Sequence, residues 1–349
     1  MSQAASSALV GIWRAADGLG LHPHDHGWRE LYRLFAFGIA SGAPLLCEAA
    51  VAGRHSRPAG SDTHLVTMLG IAVRRYVPEL FAGELAVAPL PVRLDVLERG
   101  LHRRGDEVGQ ILRGRQNSFT GVRRFLVPQV IFGAYFADRP APVRFADLGT
   151  GLGIMPRQLN CRQLFDRFVG DLAWPDGRPR YRGIPLATRH AVDRGPFPDL
   201  DWVRHCYGPS GYYSDLYREL VIAAQTPEVR RCLVRYHELD LTDRGELARF
   251  LRRHRINVVN LCYTLYEMTP GTRREVLETV AENLAPPALI LVIEPRGELA
   301  EPGCTVTMYD QNGGAVPLCT VADGHFTGQV EPLAGYSEFV ARHPISAAC

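Results

Sequence analysis

The chain has 349 residues, 46% hydrophobic and 22% charged, which suits a large packed core and excludes a disordered or collagen-like polymer. A formal net charge of +2 is too small to mark a nucleic-acid surface without a local patch. Every one of the 39 residues counted as lysine or arginine is arginine, which excludes a lysine Schiff base and a lysine-bearing phosphate loop.

Residues 1–125 are expected to be helical. The runs GWRELYRLFAFGIA, HLVTMLGIAVRRYV and VRLDVLERGLHRRGDEVGQIL carry apolar residues at three- and four-residue intervals, separated by the breakers HSRPAGSD and FAGELAVAPLP. From Pro140 onward strands and helices alternate. VRFADLG predicts a strand ending in a glycine turn, and MPRQLNCRQLFDRF the helix after it. The long connection VGDLAWPDGRPRYRGIP is expected to hold a hairpin. TRHAVD predicts a second strand and YRELVIAA another helical stretch. VRYHELDLTD then predicts a strand before the helix RGELARFLRRH. INVVNLCYT, the helix RREVLETVAENL and ALILVIEP follow. Near the end, QNGG between β-rich runs predicts a hairpin, so that an antiparallel pair completes the sheet. The expectation is an α/β fold with a doubly wound, mainly parallel, Rossmann-like sheet. Residues 126–349 would form it, and 1–125 an N-terminal helical lid.

The loop after the first strand reads Asp147-Leu-Gly149-Thr-Gly151-Leu-Gly153. A dinucleotide fingerprint needs glycine at position 154, where Ile154 stands. An acid in front of the glycines would also oppose a pyrophosphate, whereas it suits a ligand presenting a cation. Glycines let the backbone approach that ligand closely.

This acid-led glycine loop, followed by four more alternating units, resembles the signature of class I S-adenosylmethionine-dependent methyltransferases, over roughly Val143 to Glu294. The resemblance implies that Asp147, Gly149, Gly151 and Gly153 line the methionine half of S-adenosylmethionine. It implies an acid closing the second strand for the ribose hydroxyls, Asp193 or its competitor Asp171. It implies Asp240, with the Leu241 backbone, near the adenine amine. Asp240 reads equally well as part of a helix cap with Thr242 or Asp243. The loop after the fourth strand would face the sulfonium and the acceptor, making Asn260 a cofactor contact and Tyr263, Tyr266 and Glu267 catalytic candidates. A tyrosine face can stabilise a sulfonium by ~0.5–2 kcal/mol, although two aromatics three apart also read as core. RGRQNSFTGVRRFLVPQVIFGA, with DLGTGLGIMPRQLNCRQLFDRF and AVDRGPFP, is similar to a bacterial methyltransferase-like family of unknown function. There a Gln-Asn pair precedes a helix near the first strand, matching Gln116 and Asn117, and Asn117 joins the catalytic candidates.

Other features read as structural. HPHDH (His22, His24, Asp25, His26) has metal-ligand chemistry but tight spacing in an N-terminal loop, and no metal is expected. The arginine runs fall on separate helices. CYGPSGYYSDLY reads either as a flap whose Tyr212, Tyr213 and Tyr217 cover a ligand, or as a packed turn. The eight cysteines lack paired metal spacing, Cys206 and Cys262 are expected to be buried, and no apolar run is long enough to span a bilayer. Reduced thiols and no secretory start point to a cytoplasmic protein.

The expected function is methyl transfer from S-adenosylmethionine to a small-molecule acceptor under a helical lid. Neither nucleic acid nor membrane is expected as a partner, and a homodimer is left open. The same fold hosts other sulfonium chemistry, as in certain natural-product enzymes. One rival is therefore cyclisation to azetidine-2-carboxylate plus methylthioadenosine, or aminocarboxypropyl transfer. A non-catalytic cofactor-binding protein is the weaker alternative.

Overall fold

The computed structural model describes residues 3–21, 26–138, 141–208, 211–299, 301–309 and 314–346. Five helices come first: α1 (Gln3–Leu19), α2 (His26–Ala40), α3 (Pro44–Ser56), α4 (Asp62–Tyr76) and α5 (Leu90–Gly114). They enclose a core of their own that includes Ile12, Leu31, Phe35, Leu46, Leu65 and Leu97. Thr63 to Val73 of α4 are buried without a break, so α4 is the central helix of this layer. The sequence HPHDH spans 22–26; residues 22–25 lie outside the described residues.

Helix α6 (Leu126–Tyr135) leads into β1 (Val143–Leu148), followed by α7 (Met155–Gln158), α8 (Arg162–Phe168) and the two-residue strand β2 (Leu172–Ala173). Then come β3 (Leu186–Asp193), α9 (Leu200–Tyr207), α10 (Gly211–Gln225), α11 (Pro227–Arg231), β4 (Arg235–Glu238) and α12 (Arg244–His254). The chain continues through β5 (Val258–Cys262), a 3-10 turn (Leu265–Glu267), α13 (Pro270–Asn283) and β6 (Leu289–Pro295). It ends with β7 (Cys304–Tyr309), β8 (Ala315–Val321), β9 (Gly328–Pro332) and α14 (Tyr336–Arg342).

Among the described residues one sheet runs β2-β9-β8-β7-β6-β5-β1-β3-β4. Strands β4, β3, β1, β5 and β6 are mutually parallel, while β7, β8 and β9 each run antiparallel to the strand before. The fold is therefore mixed α/β. Phe145, Leu289, Leu291 and Ile293 face the layer containing α6, whereas Ala146, Leu148, Val259 and Ile290 face α12 and α13. Burial on both faces is why these strands read as continuous apolar runs. The order reverses between β1 and β5, and a crevice opens beyond strand ends at such a point.

Three expectations need correction. The helix from Met155 to Phe168 is broken, because Asn160 sits at φ 65° and its side chain bonds both Ile184 N and Ile184 O. The 170–186 connection holds no hairpin among its residues; β2 pairs parallel with β9 across the sheet. The antiparallel part is three strands, not a pair, since GQVEP forms β9 despite its glycine and proline. The QNGG turn itself lies largely outside the described residues, but β7 and β8 do pair antiparallel around it. In CYGPSGYYSDLY, read above either as a flap or as a packed turn, α9 ends at Tyr207 and α10 starts at Gly211. Among the described residues, no single helix is long and apolar enough to cross a membrane.

Candidate functional site

Where the sheet order reverses, the loop after β1 meets a cavity of about 350 Å³. Gly149, Gly151 and Gly153 all have positive φ (76°, 56° and 69°), the region that favours glycine. A Cβ on Gly149 would lie 2.3 Å from Thr264 Oγ1, which is itself anchored by donating to Leu148 O at 3.0 Å. Gly149→Ala is expected to lower unfolding free energy by about 2–4 kcal/mol, combining left-handed strain with overpacking. Urea unfolding would show this as an earlier midpoint; an unchanged midpoint would refute it.

The loop's N–H groups are satisfied internally. Gly149 N and Thr150 N donate to Val192 O (2.9 and 3.0 Å), and Gly153 N to Thr150 O (3.1 Å). Gly151 N donates to Asp193 Oδ2 at 2.7 Å and Leu152 N to Thr120 Oγ1 at 3.5 Å. A phosphate cradle needs such amides free. This loop instead presents carboxylates.

Asp147, at the end of β1, is 4% exposed. Its Oδ2 accepts from Thr150 Oγ1 (2.6 Å) and its Oδ1 from Asn260 Nδ2 (2.8 Å). Burial pushes this carboxyl up to about 6, against the downward pull of those two hydrogen bonds. Asn260 sits beside it in register on β5, fully buried and behind the cavity wall. The structure thus corrects Asn260 from a ligand contact to a residue that holds Asp147. Gly153 is likewise corrected: its Cβ position is filled by the Tyr236 ring, 2.5 Å away, and it does not line the cavity.

Asp193 closes β3 and lines the cavity; its second oxygen accepts from Arg194 N at 2.8 Å. The competitor Asp171 is elsewhere, paired with Arg123 at 2.6 Å. Asp240 and Leu241 also line the cavity. Asp240 Oδ1 accepts from Thr242 N (2.9 Å) and Oγ1 (2.7 Å), its Oδ2 lies 3.2 Å from Arg194 Nε, and the cap of α12 is Asp243. Asp240 therefore braces a turn and faces the cavity at once.

Beyond β5, Tyr263 adopts φ 56° and donates its N–H to Ile293 O at 2.8 Å. One face of its ring carries the Arg124 guanidinium at 4.1 Å. Arg124 Nε is buried without a hydrogen-bond partner, and Arg124 lines the cavity. The Tyr266 hydroxyl accepts from Asn117 Nδ2 at 2.9 Å. Burial raises both phenols well above their ordinary value, so they are neutral donors near neutral pH. Glu267 is raised too, by burial first and then by Asp193.

The helical layer supplies the opposite wall. Ser61 N donates to Glu267 O (2.7 Å) and Thr269 N to Ala59 O (3.0 Å), tying the α3–α4 connection to the loop after β5. Arg57 Nη1 lies 3.2 Å from His64 Nε2 and 2.9 Å from Gln116 Oε1. Arginine only donates, so His64 Nε2 accepts and its proton sits on Nδ1, 3.6 Å from Glu267 Oε2. Burial, followed by the Arg57 charge, pushes His64 down to about 3 and keeps it neutral. Tyr213 lines the cavity, Tyr217 packs in the sheet core, and the Tyr212 side chain lies outside the described residues. Cys206 is buried, whereas Cys262 is half-buried in the cavity wall.

Arg57, His64, Arg124 and Glu294 carry no motif that would have singled them out. Glu294, at the end of β6, accepts from Thr264 N, Leu265 N and Tyr266 N at 2.8–3.0 Å and so sets the loop bearing Tyr266 and Glu267. Burial nevertheless pushes it up to about 7.

No protein-family model matches the chain, and no curated protein sequence matches it. Among solved structures, a possible exported protein from Bordetella parapertussis aligns over 84% of this chain and 73% of its own, at 15% identity and a TM-score of 0.27.

Proposed function

We propose that the protein is an S-adenosylmethionine-dependent enzyme that transfers a methyl group to a small-molecule acceptor. The observation that carries this reading is a glycine loop with no free amide, flanked by the buried carboxylate of Asp147 and the half-buried one of Asp193, where the strand order reverses. Such a loop disfavours phosphate and favours a cationic, hydroxyl-bearing ligand. The order β4-β3-β1-β5-β6 agrees with a Rossmann-like arrangement of the parallel strands.

The donor set fits the group. Asp147 and the backbone at Gly149 and Gly151 would meet its ammonium. Arg124, with an orphaned Nε, would meet its carboxylate. Asp193 keeps lone pairs for two ribose hydroxyls, and Asp240 with Leu241 would bound the base. When bound, S-adenosylmethionine supplies an electrophilic methyl group.

Around that position the chain's own residues orient and exclude water. Neutral Tyr266, held by Asn117, donates a hydrogen bond. Glu267, made more basic by burial, takes the acceptor's proton when ionised. The helical layer of residues 3–114 acts as the lid, which argues for a small acceptor over nucleic acid or membrane. Seven free thiols among the described residues support a reducing, cytoplasmic setting.

The test is to incubate purified protein with S-adenosylmethionine alone and analyse products by mass. Binding of intact S-adenosylmethionine, lost in Asp147→Ala, is expected and calls for an acceptor screen. Methylthioadenosine with a four-carbon cyclic amino acid would replace methyl transfer by cyclisation. Absence of binding would refute the reading of the loop.

A further inference from the structure

Away from the cavity, His190 of β3, His237 of β4 and His254 of α12 converge on the α12 face of the sheet. Their ring centroids are 4.7–5.1 Å apart, and one nitrogen from each lies within 4.8 Å of the other two. His190 Nδ1 and His237 Nε2 are 2.9 Å apart, while His190 is 1% exposed with its Nε2 lacking a partner. Phe250 packs edge-on or tilted against all three rings, fixing their orientation.

Three imidazoles sharing so little hydrogen bonding are poor core material, since buried polar nitrogens are costly when unpaired. Departures from local packing rules concentrate at sites that bind something. We propose that His190, His237 and His254 form a binding site for a divalent transition metal of the zinc type, independent of the reaction in the cavity. Zinc takes histidine nitrogens at ~2.0–2.1 Å, which places tetrahedral ligand atoms ~3.4 Å apart. One pair, His190 Nδ1 and His237 Nε2, is closer than that at 2.9 Å, and the three candidate ligand atoms all lie within 4.8 Å of one another.

His237 and His254 are half-buried, leaving room for a solvent or anionic fourth ligand. Burial first holds all three histidines below their usual range, followed by neighbouring imidazoles for His190 and His237 and by Arg253 for His254. Arg235 and Arg253 lie close enough to oppose added positive charge, which favours an ion carrying an anionic fourth ligand. The ion would fasten the four-residue edge strand β4 to the end of α12.

The experiment titrates the metal-stripped full chain with Co²⁺ and then Zn²⁺. One equivalent of Co²⁺ with tetrahedral visible bands, displaced by Zn²⁺, is expected. So is a rise of about 3–8 °C in thermal midpoint at a hundredfold excess over Kd. His237→Gln and His254→Gln, at half-buried positions that tolerate an amide, should each weaken binding at least about tenfold. Circular dichroism of the metal-free variants should match the parent. No stoichiometric binding at micromolar metal would overturn the site. Binding that survives the double variant would also overturn it, and loss on replacing His22, His24 and His26 would then locate the ion.

Discussion

Asp193→Ala is expected to weaken S-adenosylmethionine binding about a hundredfold, while Asp171→Ala changes it by less than about twofold. A carboxylate accepting from two vicinal hydroxyls makes two charge-assisted bonds, and losing them costs roughly 3 kcal/mol, a factor of about a hundred. Asp193 Oδ2 also accepts from Gly151 N and so keeps the glycine loop in place. Asp193→Asn preserves one acceptor oxygen and should fall between wild type and the alanine variant. Asp171 is paired with Arg123 outside the cavity lining, so its loss should appear in stability instead. Calorimetric titration of the three variants decides the matter; unchanged affinity in Asp193→Ala would remove the ribose assignment.

That contrast also marks how far the sequence was legible. Asp193 is eligible as the acid closing a strand and Asp171 because it follows the first helix closely, and only the path of the connection separates them. The chain leaves α8 for β2, across the sheet beside β9, before returning to β3. A two-residue strand has no periodicity to detect, so this excursion was invisible. The central strands β1, β5 and β6 were readable because both faces are apolar, whereas β3 and the exposed edge strand β4 were readable from their alternation with helices. Strand β9 was not, since its Gly328, Glu331 and Pro332 lack strand chemistry.

In the site, the glycines were legible because positive φ has a residue preference, and Asp147 because it precedes them. Asn260 illustrates the limit. It was recognisable as a polar residue in an apolar strand, but whether it faces the cavity or a neighbouring strand depends on the Asp147–Asn260 register. His64 and Arg57 come from a different layer altogether. They look like ordinary residues on an amphipathic helix and in a loop, and acquire meaning only because Ser61 and Ala59 bond to the loop after β5. The three histidines of the sheet edge lie 47 and 17 positions apart, far from any metal-ligand spacing along the chain.

The second large effect is a pH dependence set by Asp147. Its carboxyl is pushed up to about 6, by burial first, with Asp193 adding to the rise and Thr150, Asn260 and Arg124 opposing it. A cationic ligand needs the ionised form. Binding should therefore be flat above pH ~7 and weaken toward tenfold per unit well below 6, about tenfold in all between pH 8 and pH 5. The stability of the free protein runs the other way. With a folded pKa above the unfolded value of ~3.9, the folded chain holds this proton more tightly, so the contribution falls as pH rises from about 4 to 6. It amounts to about 3 kcal/mol of destabilisation at neutral pH. Asp147→Asn removes both effects. At pH 8 it should melt higher than wild type without ligand, helped by the Asn260 Oδ1, which is buried without a partner and would gain a donor. The same variant should bind S-adenosylmethionine about a hundredfold more weakly, with no step near pH 6. Melting curves and titrations at pH 5, 6, 7 and 8 test the two halves separately. A step that persists in Asp147→Asn would assign the titration to another group, such as Glu267. Loss of binding without any gain in free-protein stability would mean that Asp147 is already ionised in the unliganded cavity, its burial offset by Arg124.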